Sequence, residues 1–218
     1  AIKKTADLGL REMMSRIILK VGENAALSLI SEIEKEIPAA DVKNIIEILP
    51  TLNKKSISLT KLHYCVNHYA VEVRAQAVKT ALEFGSGAED ILLYALDDEN
   101  IKIRTLAIEG LGILKEKKLF EVYAGSDKTD LEEKLFCKAL GNLGIPEAQS
   151  YLIKIASPKK RFWRKRKPGE VRVAAIRALQ HYPGSQTENS LNQLKNSSDK
   201  FIRSNAEYVL NKTASDKD

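Results

Sequence analysis

Apolar residues recur along the chain at positions i, i+4, i+5 and i+8, a spacing that places them on one face of an α-helix. The spacing is clearest in residues 101–112 and returns in residues 71–82, 131–142, 169–180 and 200–211. The alternation of apolar and polar residues that is typical of a half-buried strand is absent throughout. The pattern therefore predicts an all-α protein.

These helical segments are copies of a repeat. A residue just after the first apolar position marks each copy, and its spacings along the chain are 30, 29, 39 and 31 residues; the marked residues are Arg74, Arg104, Glu133, Arg172 and Arg203. The period is thus about 30 residues, and one interval is about nine residues too long. The excess is a basic loop inserted at residues 157–169, before the helix of Arg172.

Each copy is predicted to be a helix pair. A glycine, or Pro183 followed by Gly184, ends the first helix, and a second segment with helical apolar spacing follows. One pair cannot bury its apolar stripe, so the pairs stack on one another. We expect a single repeat domain over residues 1–218, with units at about 8–36, 40–69, 71–98, 101–125, 130–157 and 170–197 and a last helix at 200–212.

The segments ALDDENIKIRTLAIEGLGIL (95–114) and GEVRVAAIRALQHY (169–182) resemble the HEAT repeats of bacterial proteins, close to the phycobilisome-lyase subtype. The resemblance covers roughly residues 8–212. It implies a right-handed α-solenoid of about seven HEAT-like, armadillo-like helix pairs, with partners bound on a concave face lined by the second helices. It also admits a bilin lyase or lyase subunit.

Composition narrows the class of protein. The chain has two cysteines, no basic-then-apolar signal peptide and no apolar run of the roughly 18 residues that a membrane span needs. We therefore expect a cytoplasmic protein with no transmembrane segment. A chain that opens without Met and ends on an unpaired helix favours a fragment of a longer protein over a complete chain.

No catalytic constellation is visible, and we expect neither an enzyme nor a bound cofactor. His63, Cys65 and His68 lie close in sequence, but at about 100° per residue their side chains diverge around a helix, so no metal is expected. The repeat arginines Arg74, Arg104, Arg172 and Arg203 are interpreted as structural groups that hydrogen-bond neighbouring turns and helix ends.

Charge favours a protein partner for the predicted concave face. The predicted second helices carry six Lys and eleven Asp or Glu, so their face is acidic, which disfavours nucleic acid there and suits a partner with basic or apolar character. The predicted function is that of a non-catalytic scaffold for protein–protein interaction. Candidate exposed contacts are Glu89, Asp90, Tyr94, Glu147 and Tyr151.

The net charge of +6 is local, because seven basic residues of the inserted loop account for +7 and the rest of the chain for −1. The loop is a solvated insertion, an anion-binding element for nucleic acid or anionic lipid, or a docking arm for an acidic partner. Its candidate residues are Lys159, Lys160, Arg161, Phe162, Trp163, Arg164, Lys165, Arg166 and Lys167.

Overall fold

The computed structural model describes residue 20 and residues 23–52, 54–157 and 168–215. Within these ranges the chain forms twelve α-helices and no strand, which confirms the prediction of an all-α protein. The helices are α1 Glu23–Ser31, α2 Ala39–Ile48, α3 Lys55–Cys65, α4 Val71–Phe84, α5 Glu89–Tyr94, α6 Ile101–Ile113, α7 Lys118–Tyr123, α8 Asp130–Leu143, α9 Pro146–Ala156, α10 Gly169–Ala178, α11 Ser185–Leu194 and α12 Lys200–Ser215.

Short 3₁₀ turns extend several of these helices, at Glu32–Glu34, Leu49–Leu52, Ala95–Asp97 and Leu179–His181. In the described ranges, no helix combines the length and the apolar character required to cross a bilayer.

The chain divides into two compact units, residues 1–106 and residues 107–218, and the boundary falls within α6. In the first unit, α4 packs against α2, which is the first helix of the preceding pair, and also against α3 and α5. The helix pair is therefore the packing unit, as its sequence period indicates.

The second unit has two layers of helices. The first helices α8, α10 and α12 pack one against the next, and the second helices α9 and α11 pack beside them. The buried side chains are those of the repeat pattern: Val171, Ala175, Ile176 and Leu179 are each at most 1% exposed. The prediction of a single repeat domain over the whole chain stays a prediction.

Two glycines allow neighbouring first helices to approach closely in the second unit. A Cβ atom added to Gly112 of α6 would lie 2.6 Å from the Cβ of Ala139 on α8. One added to Gly141 of α8 would lie 3.3 Å from the Cβ of Ala178 on α10. Both glycines stand eight residues after the marked position of their pair, so the same close contact recurs at the same place in the repeat.

The ends of α8 show how local sequence sets helix boundaries. Thr129 accepts a hydrogen bond from the backbone N–H of Glu132, and the Glu132 carboxylate accepts one from the backbone N–H of Thr129, which is a capping box. Gly144 then ends the helix in the left-handed conformation, at φ +67°. These signals fix the length of the helix independently of its packing.

Candidate functional site

The repeat arginines make one shared contact, with the end of the preceding second helix. In three copies Nη1 donates to the backbone carbonyls six and five residues earlier, at distances of 2.7 to 3.3 Å; the pairs are Arg74 with His68 and Tyr69, Arg104 with Asp98 and Glu99, and Arg203 with Ser197 and Ser198. A cation at the carbonyl end of a helix also opposes the helix dipole. These hydrogen bonds lie within the fold and join two segments of the same chain.

Arg74 has a second set of partners. Its Nε and Nη2 donate to the two carboxylate oxygens of Asp98 at 2.8 and 3.1 Å, and both side chains are nearly buried. The hydrogen bonding to Asp98, more than any other influence, raises the pKa of Arg74 above its ordinary value. The pair joins the loop after α5 to the start of α4 inside the first unit.

Glu133 stands where the other copies have arginine, and a lysine from the preceding loop supplies the cation. Lys128 Nζ donates to the carbonyls of Ser126 and Ala124, at 2.8 and 3.3 Å, just beyond the end of α7. The same ammonium lies 4.8 Å from the centre of the Tyr123 ring. Lys128 therefore supplies the cation at this helix end, and a residue other than arginine can occupy the marked position.

A cluster of exposed aromatic side chains lies on the first unit. Tyr64 and Tyr94 are about half exposed, and Tyr69 is 81% exposed. Asn67 and His68 lie between them on the loop after α3. We call these five residues the tyrosine surface.

Two hollows open at the tyrosine surface and share Asn67, His68 and Tyr69 as walls. One has a volume of about 730 Å³ and is bounded by the loop at 34–38 together with Tyr64. The other, of about 390 Å³, is bounded by Tyr94, Arg74 and the residues 97–99. Three successive loops that join one helix pair to the next thus contribute to a single concave area.

The walls of the two hollows carry five carboxylates against two cations. Arg74 is already bonded to Asp98, and Glu34 is paired with Lys61 at 2.5 Å. Glu36 and Asp97 have no cationic partner among the residues that the structure describes. The uncompensated charge of these walls is therefore negative.

Contacts hold the rings of Tyr94, His68 and Tyr69 in place. The Tyr94 hydroxyl donates to Asn67 Oδ1, and its ring lies 6.1 Å from that of His63. The His68 ring stacks on Tyr69 at 4.3 Å, and its Nδ1 accepts from the backbone N–H of Ala70 at 3.0 Å. Rings held in this way lose little side-chain entropy when a partner covers them.

The five contact residues predicted from the sequence do not form a single surface. Tyr94 lies on the tyrosine surface, whereas Glu89 and Asp90 lie in the first turn of α5, where the Glu89 carboxylate accepts from the Gly87 N–H. In the second unit, Glu147 is exposed in the first turn of α9. Tyr151 is part-buried; its hydroxyl donates to Glu133 at 2.6 Å and its ring lies edge-on to Phe136.

Tyr64 and Tyr69 were not among the contacts expected from the sequence, although one signal marks Tyr64. It precedes Tyr94 by thirty residues, which is one period, and each stands ten residues before the arginine of the following pair. A polar aromatic residue repeated at the period of an array occupies equivalent surface positions. The next tyrosine in the column, Tyr123, is buried and bonds Glu132.

His63, Cys65 and His68 do not converge. Cys65 is fully buried, and burial, more than its charged neighbours, raises the pKa of its thiol to about 12. His63 and His68 contact Tyr94 and Tyr69 instead. Among the residues that the structure describes, no group of three His, Cys, Asp or Glu side chains is placed to hold a metal ion.

The candidate residues of the basic loop, 159–167, lie outside the described residues. Their assignment as an anion-binding element or docking arm stays a prediction. Emission of Trp163, the only tryptophan of the chain, tests it in titrations with oligonucleotides and anionic vesicles across a range of salt.

Comparison with known proteins gives a similarity in fold. No protein-family model matches the chain, and no curated protein matches it. Among solved structures, the chain is similar to the crystal structure of an engineered protein from the Northeast Structural Genomics Consortium. The TM-score is 0.53 at 15% sequence identity, over 88% of this chain and 98% of the other, and such a similarity concerns the fold alone.

Proposed function

We propose that the protein is a non-catalytic scaffold that binds another protein through the tyrosine surface. The helix pairs are interpreted as HEAT-like repeats stacked into a right-handed α-solenoid, in which the second helices line the concave face. The period of about 30 residues, the packing of successive first helices within each unit and the shared arginine contact support this interpretation.

The observation that carries the proposal is the group of three exposed tyrosines above two joined hollows. A tyrosine offers a large apolar ring and a hydroxyl, and its two side-chain torsions cost little entropy to order. Aromatic residues are enriched at the centres of protein–protein interfaces for this reason. Tyr64, Tyr69 and Tyr94 are therefore the expected anchors.

The charge of the surface specifies the chemistry of the partner. Glu36 and Asp97 offer carboxylates beside the tyrosine rings that form no ion pair with any described residue, and a Lys or Arg side chain can pair with a carboxylate while lying over a ring. An extended segment with basic residues therefore fits these hollows. Nucleic acid does not, because its phosphates would meet a negative potential.

The test uses the full chain and the acetylated peptide Gly-Arg-Leu-Lys-Gly-Arg, labelled with fluorescein, with a twin in which Gln replaces each basic residue. We expect anisotropy to show binding of the basic peptide, and we expect Tyr69→Ala to weaken that binding about tenfold, a typical loss for an interface anchor. Tyr208→Ala is the matched control, because Tyr208 is 56% exposed on α12 and lies in neither hollow.

Three outcomes contradict the proposal in different ways. Equal weakening by Tyr69→Ala and Tyr208→Ala removes the tyrosine surface as the site. If the glutamine twin binds equally well, the proposal of a basic partner is wrong, but the tyrosine surface remains the proposed site. Turnover by the purified protein, or a small molecule retained at one per chain through purification, removes the non-catalytic scaffold.

A further inference from the structure

A groove separate from the tyrosine surface crosses the first helices of the second unit. Its volume is about 860 Å³, and its walls come from α8, the start and outer face of α10, and the first turn of α12. Apolar and basic side chains share it. Its lining residues include Leu131, Lys134, Lys138, Glu170, Arg177 and Phe201.

The apolar part of the groove includes two large side chains in solvent. Phe201 is 70% exposed and Leu131 is 50% exposed. Each stands two residues before the marked position of its own pair, Arg203 and Glu133, so they occupy equivalent places on α12 and α8. An exposed leucine and an exposed phenylalanine that line one groove offer anchor points for apolar side chains of a partner.

Two cations of the groove form no ion pair with a carboxylate in the described part of the chain. Lys138 has no ion-pair partner among the described residues, and Arg177 donates from Nε to a neutral acceptor, the amide oxygen of Asn205, at 2.8 Å. Each stands five residues after the marked position of its own pair. Since α8 and α10 pack together, the two charges occupy equivalent positions on adjacent helices.

The remaining charges of the groove are already compensated. Lys134 and Glu170 form an ion pair at 2.6 Å across α8 and α10, and the hydrogen bond from Lys134 lowers the pKa of Glu170. Asp130 lies in the first turn of α8, where a carboxylate opposes the helix dipole. The uncompensated charge of the groove is therefore positive.

We propose that this groove binds an acidic amphipathic segment of a protein partner. The apolar side chains of the segment contact Leu131 and Phe201, and its carboxylates pair with Lys138 and Arg177. A bare phosphate or nucleic acid would leave the apolar residues uncovered. A second copy of the chain, placed face to face by a two-fold axis, would bring like charges of this face together.

This inference is independent of the proposed function, because it concerns other residues in the other unit. The two surfaces differ in sign: the tyrosine surface is negative and the groove is positive. Two segments of opposite charge would therefore be sorted between the two units by electrostatics.

The test again uses the full chain, with the labelled acetylated peptide Glu-Leu-Phe-Asp-Glu-Leu-Leu-Glu and a twin in which Lys replaces each acidic residue. We expect the acidic peptide to bind and the basic twin not to bind in this groove. We expect Lys138→Glu to weaken binding about tenfold and Phe201→Ala about as much, as for a charged and an apolar interface anchor.

Matched variants separate the groove from general effects. Lys195→Glu makes the same charge change at an exposed lysine that directly follows α11, and Val122→Ala shortens a 58% exposed apolar residue of α7 outside the groove. We expect neither to change the affinity more than about twofold, since neither group contacts the peptide.

The proposal is overturned if Lys195→Glu weakens the acidic peptide as much as Lys138→Glu, or if Phe201→Ala leaves its affinity unchanged. It is also overturned if sedimentation shows that the protein alone forms a dimer that Phe201→Ala dissociates, because the groove would then bind a second copy. Loss of peptide binding at this groove leaves the test with Tyr69→Ala unaffected, so the two proposals fail separately.

Discussion

Arg172 donates from Nε and Nη2 to the backbone carbonyl of Ala156, at 3.2 and 3.0 Å, although sixteen residues separate the two. In three other copies of the repeat the corresponding arginine bonds a carbonyl six residues earlier. The difference of ten residues corresponds to the inserted loop. Despite the insertion, Arg172 therefore still donates to a carbonyl at the end of the preceding second helix, with different guanidinium nitrogens.

Deletion of residues 159–167 is expected to change the free energy of unfolding by less than about 1 kcal/mol, because the repeat pattern predicts that these residues are an insertion outside the repeat core. After the deletion, Arg172 follows Ala156 by seven residues, close to the six of the other copies. Urea denaturation followed by far-ultraviolet circular dichroism measures the change. A loss of several kcal/mol would instead assign Phe162 and Trp163 to the packed core.

Replacement of Arg172 by Met is expected to lower the free energy of unfolding by about 3 kcal/mol. The side chain is 1% exposed, and its loss leaves the Ala156 carbonyl without this donor. Lys138→Met is the control, because it removes an exposed positive charge from α8. We expect its effect on the free energy of unfolding to stay within about 0.5 kcal/mol. Equal denaturation midpoints for the two variants would show that the Arg172 contact contributes little.

Replacement of Gly112 by Ala is expected to destabilise the protein by about 1 to 3 kcal/mol, because the new Cβ would overlap Ala139 on the facing helix. Ala139 cannot yield easily, since its Cα atom lies only 2.8 Å from the new Cβ. Gly125→Ala is the matched control, because a Cβ there meets nothing within 4 Å. Thermal unfolding of both variants compares them; a melting temperature for Gly112→Ala at or above that of Gly125→Ala would contradict the close approach.

Tyr182 is expected to make the stability of the fold depend on pH in the alkaline range. Its hydroxyl donates to the carbonyl of Leu140 at 2.5 Å and accepts from the N–H of Gly144 at 3.1 Å. Burial raises the pKa of Tyr182 above the ordinary value of 10.0. A folded-state pKa above the unfolded value stabilises the fold fully below pH 10, and this contribution is lost as pH rises through the folded pKa.

We therefore expect the wild-type protein to lose stability above about pH 10 more steeply than Tyr182→Phe, which has no phenol to ionise. Below that pH, the variant is expected to be less stable by about 1 to 2 kcal/mol, because the Leu140 carbonyl loses its donor. Urea denaturation at a series of pH values measures both effects. Parallel pH profiles for the two proteins would exclude Tyr182 as the titrating group.

The helical class and the buried face follow from the sequence because they depend on the spacing of apolar residues alone. Ile103, Ala107 and Leu111 are at most 1% exposed, as their positions in the repeat predict. The apolar spacing determines which side of each helix is buried, and glycines determine where two first helices end, α4 before Gly85 and α8 before Gly144. Neither requires knowledge of distant contacts.

The replacement of arginine by Glu133 could not be explained from the repeat pattern. The compensating cation, Lys128, comes from a loop whose conformation depends on its packing against Tyr123 and Phe136. Tyr151 was expected to be an exposed contact, but its hydroxyl reaches Glu133, eighteen residues away in sequence. Both contacts are set by tertiary packing, which a helical period does not specify.

Tyr64 and Tyr94 occupy the same place in successive helix pairs. Duplication of either of these two pairs within the gene would therefore add a further tyrosine at the same step along the array, together with the loop that presents it. Each added copy would raise the effective concentration of contacts for a long flexible partner without any new side-chain geometry. Array length, more than point substitution, is thus the variable through which evolution can adjust the strength of such a surface.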